Sequence, residues 1–158
     1  MKNKLWILIG FILLKFILQY ILISPEYELQ RDEYLYLDQA HHLAWGYLSV
    51  PPVSSWISSI IYFLGNSVFW VKFFPALFGS LTIVVVWKAI EELKGNLFAL
   101  TLGATCVLFS ALLRLNTLYQ PNSLDVLCWA AVYFFLIKYL NTQRSKWLYT
   151  LAMVFAIG

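Results

Sequence analysis

"LWILIGFILLKFILQYILI", residues 5–23, decides what kind of protein this is. As a helix rising about 1.5 Å per residue, a run of this length crosses the roughly 30 Å of hydrocarbon in a bilayer. Lys2 and Lys4 precede it. A secretory signal peptide starts in the same way, but no small-x-small cleavage site follows and the apolar stretch is too long. The run is therefore read as a retained first transmembrane helix. Lys15 and Gln19 lie inside it. Both are costly against lipid, so they are predicted to face other helices or a polar cavity.

The whole chain has the same character. Its 158 residues are 61% hydrophobic and only 12% charged, with a mean hydropathy of +0.74. A soluble domain is about 45–50% apolar and about 25% charged. The formal charge of +3 is small and scattered, so it gives no case for nucleic-acid binding. Cys106 and Cys128 lie in apolar runs without metal-ligand spacing and are read as small buried hydrophobes.

Outward from the first run comes a long connection, residues 24–67. Glu33 to Trp45 contains neither Pro nor Gly and stops at Gly46, which predicts one short helix. Pro51-Pro52 opens a second, Val53 to Leu64, which Gly65-Asn66 closes. That segment is too short to span, so it is predicted to lie in the interface. Trp45, Tyr47, Trp56, Tyr62 and Trp70 suit an aromatic belt at headgroup level. Further spans are predicted over 68–90, with Pro75 a kink near its start, then over 97–115 and 124–140. A run from Trp147 to Gly158 is too short to cross, so the chain is read as the N-terminal part of a longer membrane domain. The expected fold is all-α: a polytopic transmembrane helix bundle with two juxtamembrane helices in its first extracytoplasmic loop.

Basic residues set the orientation. With the N-terminus inside, Lys2, Lys4, Lys88, Lys94, Lys138, Arg144 and Lys146 fall on or near the cytoplasmic side, and only Arg31, Lys72 and Arg114 near the other. The 24–67 connection, rich in acids, is then outside. Asp32 is placed to cap the first loop helix, with Glu33 in its first turn, where carboxylates suit the helix dipole. A carboxylate held at the membrane surface is also a general base. Asp38 and His42, four apart, form either an ion pair or two ligands of a divalent metal whose remaining ligands come from elsewhere. Arg114 and Asp125 flank "LNTLYQPNS", and Lys72 sits at the outer end of the second span. Arg114 either snorkels to headgroups or joins Lys72 in binding an anionic phosphate. Asp125 pairs with Arg114, orients it or caps the fourth span.

The order of a basic start, one span, "RDEYLYLDQAHHLAWGYLSVPPVSSWI", a helix pair and "LYQPNSLDVLCWAAVYFFLIKYL" resembles the N-terminal part of the GT-C membrane glycosyltransferases. The likeness is to their family-39-like group, which holds the protein O-mannosyltransferases and the bacterial aminoarabinose transferases that modify lipid A. The resemblance implies that Asp32 deprotonates the acceptor, that Glu33 supports the site and that Asp125 is a second acidic position. It matches Glu33–Trp45 and Val53–Leu64 to two juxtamembrane helices. Ser49-Val50 stand before Pro51-Pro52 where many relatives have His or Lys. Arg114 and Lys72 are candidates on physical grounds alone.

The implied function is transfer of a sugar from a polyprenyl-phosphate donor to a lipid, glycan or protein acceptor, by an integral protein of the bacterial inner (plasma) membrane. A divalent metal is a candidate cofactor. The rival expectation is a non-catalytic scaffold or transporter subunit, with Lys15 and Gln19 lining a substrate path. The transferase predicts that Asp32, Asp125 and Arg114 converge on one outward-facing cavity; the scaffold predicts that they scatter.

Overall fold

The computed structural model describes residues 2–23, 29–48 and 50–158. Among them the chain forms helices and turns but no strand. The helices are α1 (Lys2–Ile21), α2 (Arg31–Asp38), α3 (Val53–Phe63), α4 (Val68–Glu92), α5 (Leu97–Leu108), α6 (Leu112–Leu115), α7 (Pro121–Thr142) and α8 (Lys146–Ile157), with a 3-10 turn at Gln39–His41 after α2. Asn3–Ile21 of α1, all of α4 and all of α7 are long and apolar enough to cross a membrane. The protein is an all-α integral membrane bundle, with α2 and α3 in the connection between α1 and α4.

α4 is the central helix: half of its most apolar stretch is buried, against 17% for α1 and 11% for α7. α1 runs antiparallel to it. Tyr20 donates to the Phe69 carbonyl at 3.3 Å, Phe16 stacks on Phe73, and Leu8 joins Ile83 and Trp87 in the main core with Leu100, Ala104 and Leu108 of α5. α7 runs parallel to α4, since Lys138 near its C-terminal end reaches Glu92 at the C-terminal end of α4 at 3.1 Å. Leu13, Ile17, Phe98 and Tyr133 point outward from the bundle. Such apolar surface is a liability in water and a requirement in lipid.

Three local features differ from the sequence expectation. Gln30, not Asp32, is the N-cap of α2, and its backbone N–H donates to Glu33 Oε2 at 2.8 Å. The reaching-back carboxylate is thus three residues into the helix, and Asp32 sits in the first turn. The first loop helix ends at Asp38 rather than Trp45, because the Tyr47 hydroxyl meets the Gln39 and His42 carbonyls at 3.3 and 2.7 Å and draws them out of helical register. The run 97–115 is divided into α5 and α6. Ser110 Oγ donates to the Val107 carbonyl at 2.9 Å and accepts the Leu112 N–H at 3.2 Å. A side chain that satisfies both groups offers the backbone an alternative to the helix. α7 starts at Pro121, where the missing N–H costs nothing.

Candidate functional site

At one end of the bundle α1 stops, α2 and α4 start, and the α6–α7 connection passes between them. Glu33 is the hub. It is completely buried, and Lys72, one turn into α4, donates to both of its oxygens at 2.7 Å. The Gln30 N–H donates to Oε2 at 2.8 Å, and the Tyr119 N–H to Oε1 at 2.6 Å. A buried carboxylate needs this number of partners, one of them charged, to offset its lost hydration.

Tyr119 extends the hub. Its hydroxyl donates to the Ser54 carbonyl and meets Ser58 Oγ, both at 2.8 Å, while Ser58 Oγ also reaches the Tyr36 carbonyl at 2.7 Å. Burial pushes the Tyr119 phenol well above its ordinary range, which keeps it a neutral donor. The small residues Ser54, Ser55 and Ser58 are all buried on one face of α3. They let that helix approach Val71 and Tyr119 closely, in a second core that its own Ile61 completes.

Beside the hub lies a cleft of about 240 Å³ lined by Leu22, Ile23, Leu29, Gln30, Glu33, Lys72, Arg114, Thr117 and Leu118. Its apolar wall is Leu22 and Ile23, just past the end of α1, with Leu29 and Leu118. Its polar wall carries one carboxylate and two cations, a net single positive charge. Arg114 is exposed there, with Nη1 3.5 Å from Thr117 Oγ1. The structure thus brings Glu33, Lys72 and Arg114 together.

It does not bring Asp32, Asp125 and Arg114 onto one cavity. The Asp32 side chain is 40% exposed and 3.4 Å from Arg31 Nε, with Gln120 Nε2 at 3.5 Å; it is not among the cleft-lining residues. Asp125 lines a second cleft with Tyr36, Pro51, Ser54 and Asn122. It lies in the second turn of α7, whose cap is Gln120, so it neither caps that helix nor, among the described residues, pairs with Arg114. Asp38 ends α2 and His42 follows the 3-10 turn, so they no longer share one α-helical face. Among the described residues no three His, Cys, Asp or Glu side chains group to hold a metal. Asp38 and His42 are therefore part of no such group among the described residues.

A family model described as dolichyl-phosphate-mannose-protein mannosyltransferase matches residues 49–158. The chain belongs to that family. The family match makes it a membrane glycosyltransferase chain, while Asp32, Asp125 and Arg114 scatter as the scaffold expectation had it. No curated protein and no solved structure matches it. The match takes in Lys72, Arg114 and Asp125, while Asp32 and Glu33 precede it. Within this mannosyltransferase-family chain, sequence reasoning missed Tyr119, Gln30 and Thr117. A signal did exist for the Glu33–Lys72 pair: a lone lysine one turn inside a span needs an acid at the same depth. None existed for Tyr119, which reaches Glu33 through its backbone.

Proposed function

We propose that the full protein transfers a sugar from a polyprenyl-phosphate donor to an extracytoplasmic acceptor, with the donor phosphate in the cleft of Glu33, Lys72 and Arg114. The observation that carries this is the pairing of a net positive polar wall with an apolar wall at the end of a membrane-spanning helix. A lipid phosphate needs both. The cleft is smaller than the roughly 300–1,000 Å³ of sites that enclose whole drug-sized ligands. It suits the phosphate and its nearest groups, with the isoprenoid chain lying in lipid along α1.

Arg114 offers a planar donor fork to phosphate oxygens. Lys72 is held by Glu33, so its charge is fixed in place rather than free to swing. Glu33 is accordingly a positioning residue and not a proton carrier. Asp32 is the acceptor's base: its carboxylate is accessible and held only by long contacts. As the acceptor oxygen bonds to the anomeric carbon, its proton passes to Asp32. The bond from that carbon to the phosphate oxygen breaks with its electron pair, leaving the lipid phosphate as an anion that the cleft's positive charge stabilises. Displacement on the opposite face inverts the anomeric centre.

The test is to incubate membranes containing the full-length protein with radiolabelled polyprenyl-phosphate mannose, glucose and aminoarabinose, and to follow label leaving the lipid fraction. One donor should be consumed, and Arg114→Ala should abolish its consumption. Label retained on every donor would refute the transferase assignment for this cleft.

A further inference from the structure

Beneath the cleft, between α1 and α4, lies a polar chain that the proposed reaction does not use. Lys15 is 2% exposed and Gln19 fully buried, both within the apolar length of α1. The Lys15 ammonium donates to Gln19 Oε1 at 2.7 Å, and Gln19 Nε2 donates to the Asn116 carbonyl. An ammonium only donates and a carbonyl only accepts, so one orientation of the Gln19 amide satisfies both. Reversing it would set NH₂ against the ammonium and oxygen against oxygen. Lys15 therefore dictates which end of Gln19 faces Asn116.

Asn116 leads straight to the cleft. It is the C-cap of α6, with Arg114 two residues before it and Thr117 next. Thr117 Oγ1 donates to the Arg114 carbonyl at 2.8 Å, and both residues line the cleft. Gly79 of α4 closes the chain from the other side: a methyl group there would collide with the Asn116 amide and the Lys15 stem. Packing alone would be served better by leucine at positions 15 and 19, since a lysine among membrane helices carries a desolvation cost.

We propose that Lys15 and Gln19 are positioning residues for the phosphate-binding wall. Through the Asn116 carbonyl they set the depth and direction of the segment that carries Arg114 and Thr117. This rests on the cleft being the donor-phosphate site.

The test uses the full-length protein in nanodiscs, with a radiolabelled long-chain polyprenyl monophosphate as probe and donor KM and kcat read alongside. Gln19→Leu should weaken probe binding about five- to tenfold, the worth of one buried hydrogen bond. Gln19→Glu should do the same, because it keeps an acceptor for Lys15 but offers Asn116 no N–H. Lys15→Met should weaken binding less. Lys15→Met with Gln19→Leu should be no worse than Gln19→Leu alone, since the two act in series. Donor KM should rise in the same ratio, with kcat within about twofold of wild type.

Should Gln19→Glu bind the probe normally while Gln19→Leu is impaired, the chain serves only to satisfy Lys15, and the proposal is wrong. Normal binding by both, with Arg114→Ala defective, also overturns it while leaving the donor cleft intact. Normal binding by Arg114→Ala removes the cleft assignment and this proposal with it. If Gln19→Leu fails to fold, Gln19→Glu, which preserves an ion pair with Lys15, decides alone.

Discussion

Glu33 and Asp32 are neighbours with opposite surroundings, and the difference assigns their work. Glu33 accepts four hydrogen bonds, two of them from Lys72, and meets no bulk water. Removing Lys72 alone leaves its charge buried without a counter-ion. Lys72→Met should therefore cost about 3–5 kcal/mol, seen as a lowered melting temperature in detergent. Adding Glu33→Gln should restore part of that, because an amide oxygen still accepts the Tyr119 N–H while the unmatched charge is gone. Neither variant should regain transfer, since the cleft has then lost a fixed cation. Asp32 presents the reverse case. Its contacts are 3.4 and 3.5 Å long, so Asp32→Asn should leave melting nearly unchanged. Transfer should fall by about 10²–10⁴-fold, the usual worth of a general base. Equal losses of stability and activity in Asp32→Asn would return that residue to a structural role.

At the scale of elements, α2 is held to α4 by the Glu33–Lys72 pair, and Tyr119 ties both α2 and α3 to the α6–α7 connection. One residue of the α6–α7 connection bonds α2 through its N–H and α3 through its hydroxyl. Tyr119→Phe keeps the first and deletes the second. Ser58 retains the Tyr36 carbonyl as a partner, so the expected cost is about 1 kcal/mol. It should show as faster amide exchange confined to α3. The same hydroxyl sets a pH limit. Its folded pKa is raised, so its contribution is fully present below the ordinary phenol value of about 10 and is lost as pH climbs from there toward the folded value. Wild-type melting should decline above about pH 10 more steeply than that of Tyr119→Phe. The divided segment 97–115 teaches a related lesson. Its apolar content marks it as one run, but one hydroxyl at Ser110 breaks the helix and frees the following turn, α6, to carry Arg114 to the cleft.

At the scale of the whole molecule, the packing of α1 antiparallel and α7 parallel to α4 fixes which ends lie together. α2, α3 and the cleft lie at one end, and the Glu92–Lys138 pair lies at the other. The bias of Lys and Arg toward that second end predicts the cleft outside. In a background lacking Cys106 and Cys128, His42→Cys should react with a membrane-impermeant maleimide on intact cells. Arg144→Cys should react only after permeabilisation. The reverse pattern would invert the orientation and place the acceptor in the cytoplasm.

Sequence by itself determined that this chain lives in a membrane, that it is helical and where its apolar runs fall. These properties depend on neighbouring residues: hydropathy summed over one helix length is enough. It also pointed to Lys15 and Gln19 as residues that must face protein, because lipid offers them no partner. Only the tertiary structure decided the partners. Glu33 finds Lys72 across 39 positions and Tyr119 across 86, and Gln19 finds Asn116 across 97. The same packing parted Asp125 from Arg114, though "LNTLYQPNS" keeps them close in the chain. Burial sets a demand for a counter-charge or a hydrogen bond but not its source. The source is whichever group the helix packing brings within bonding distance.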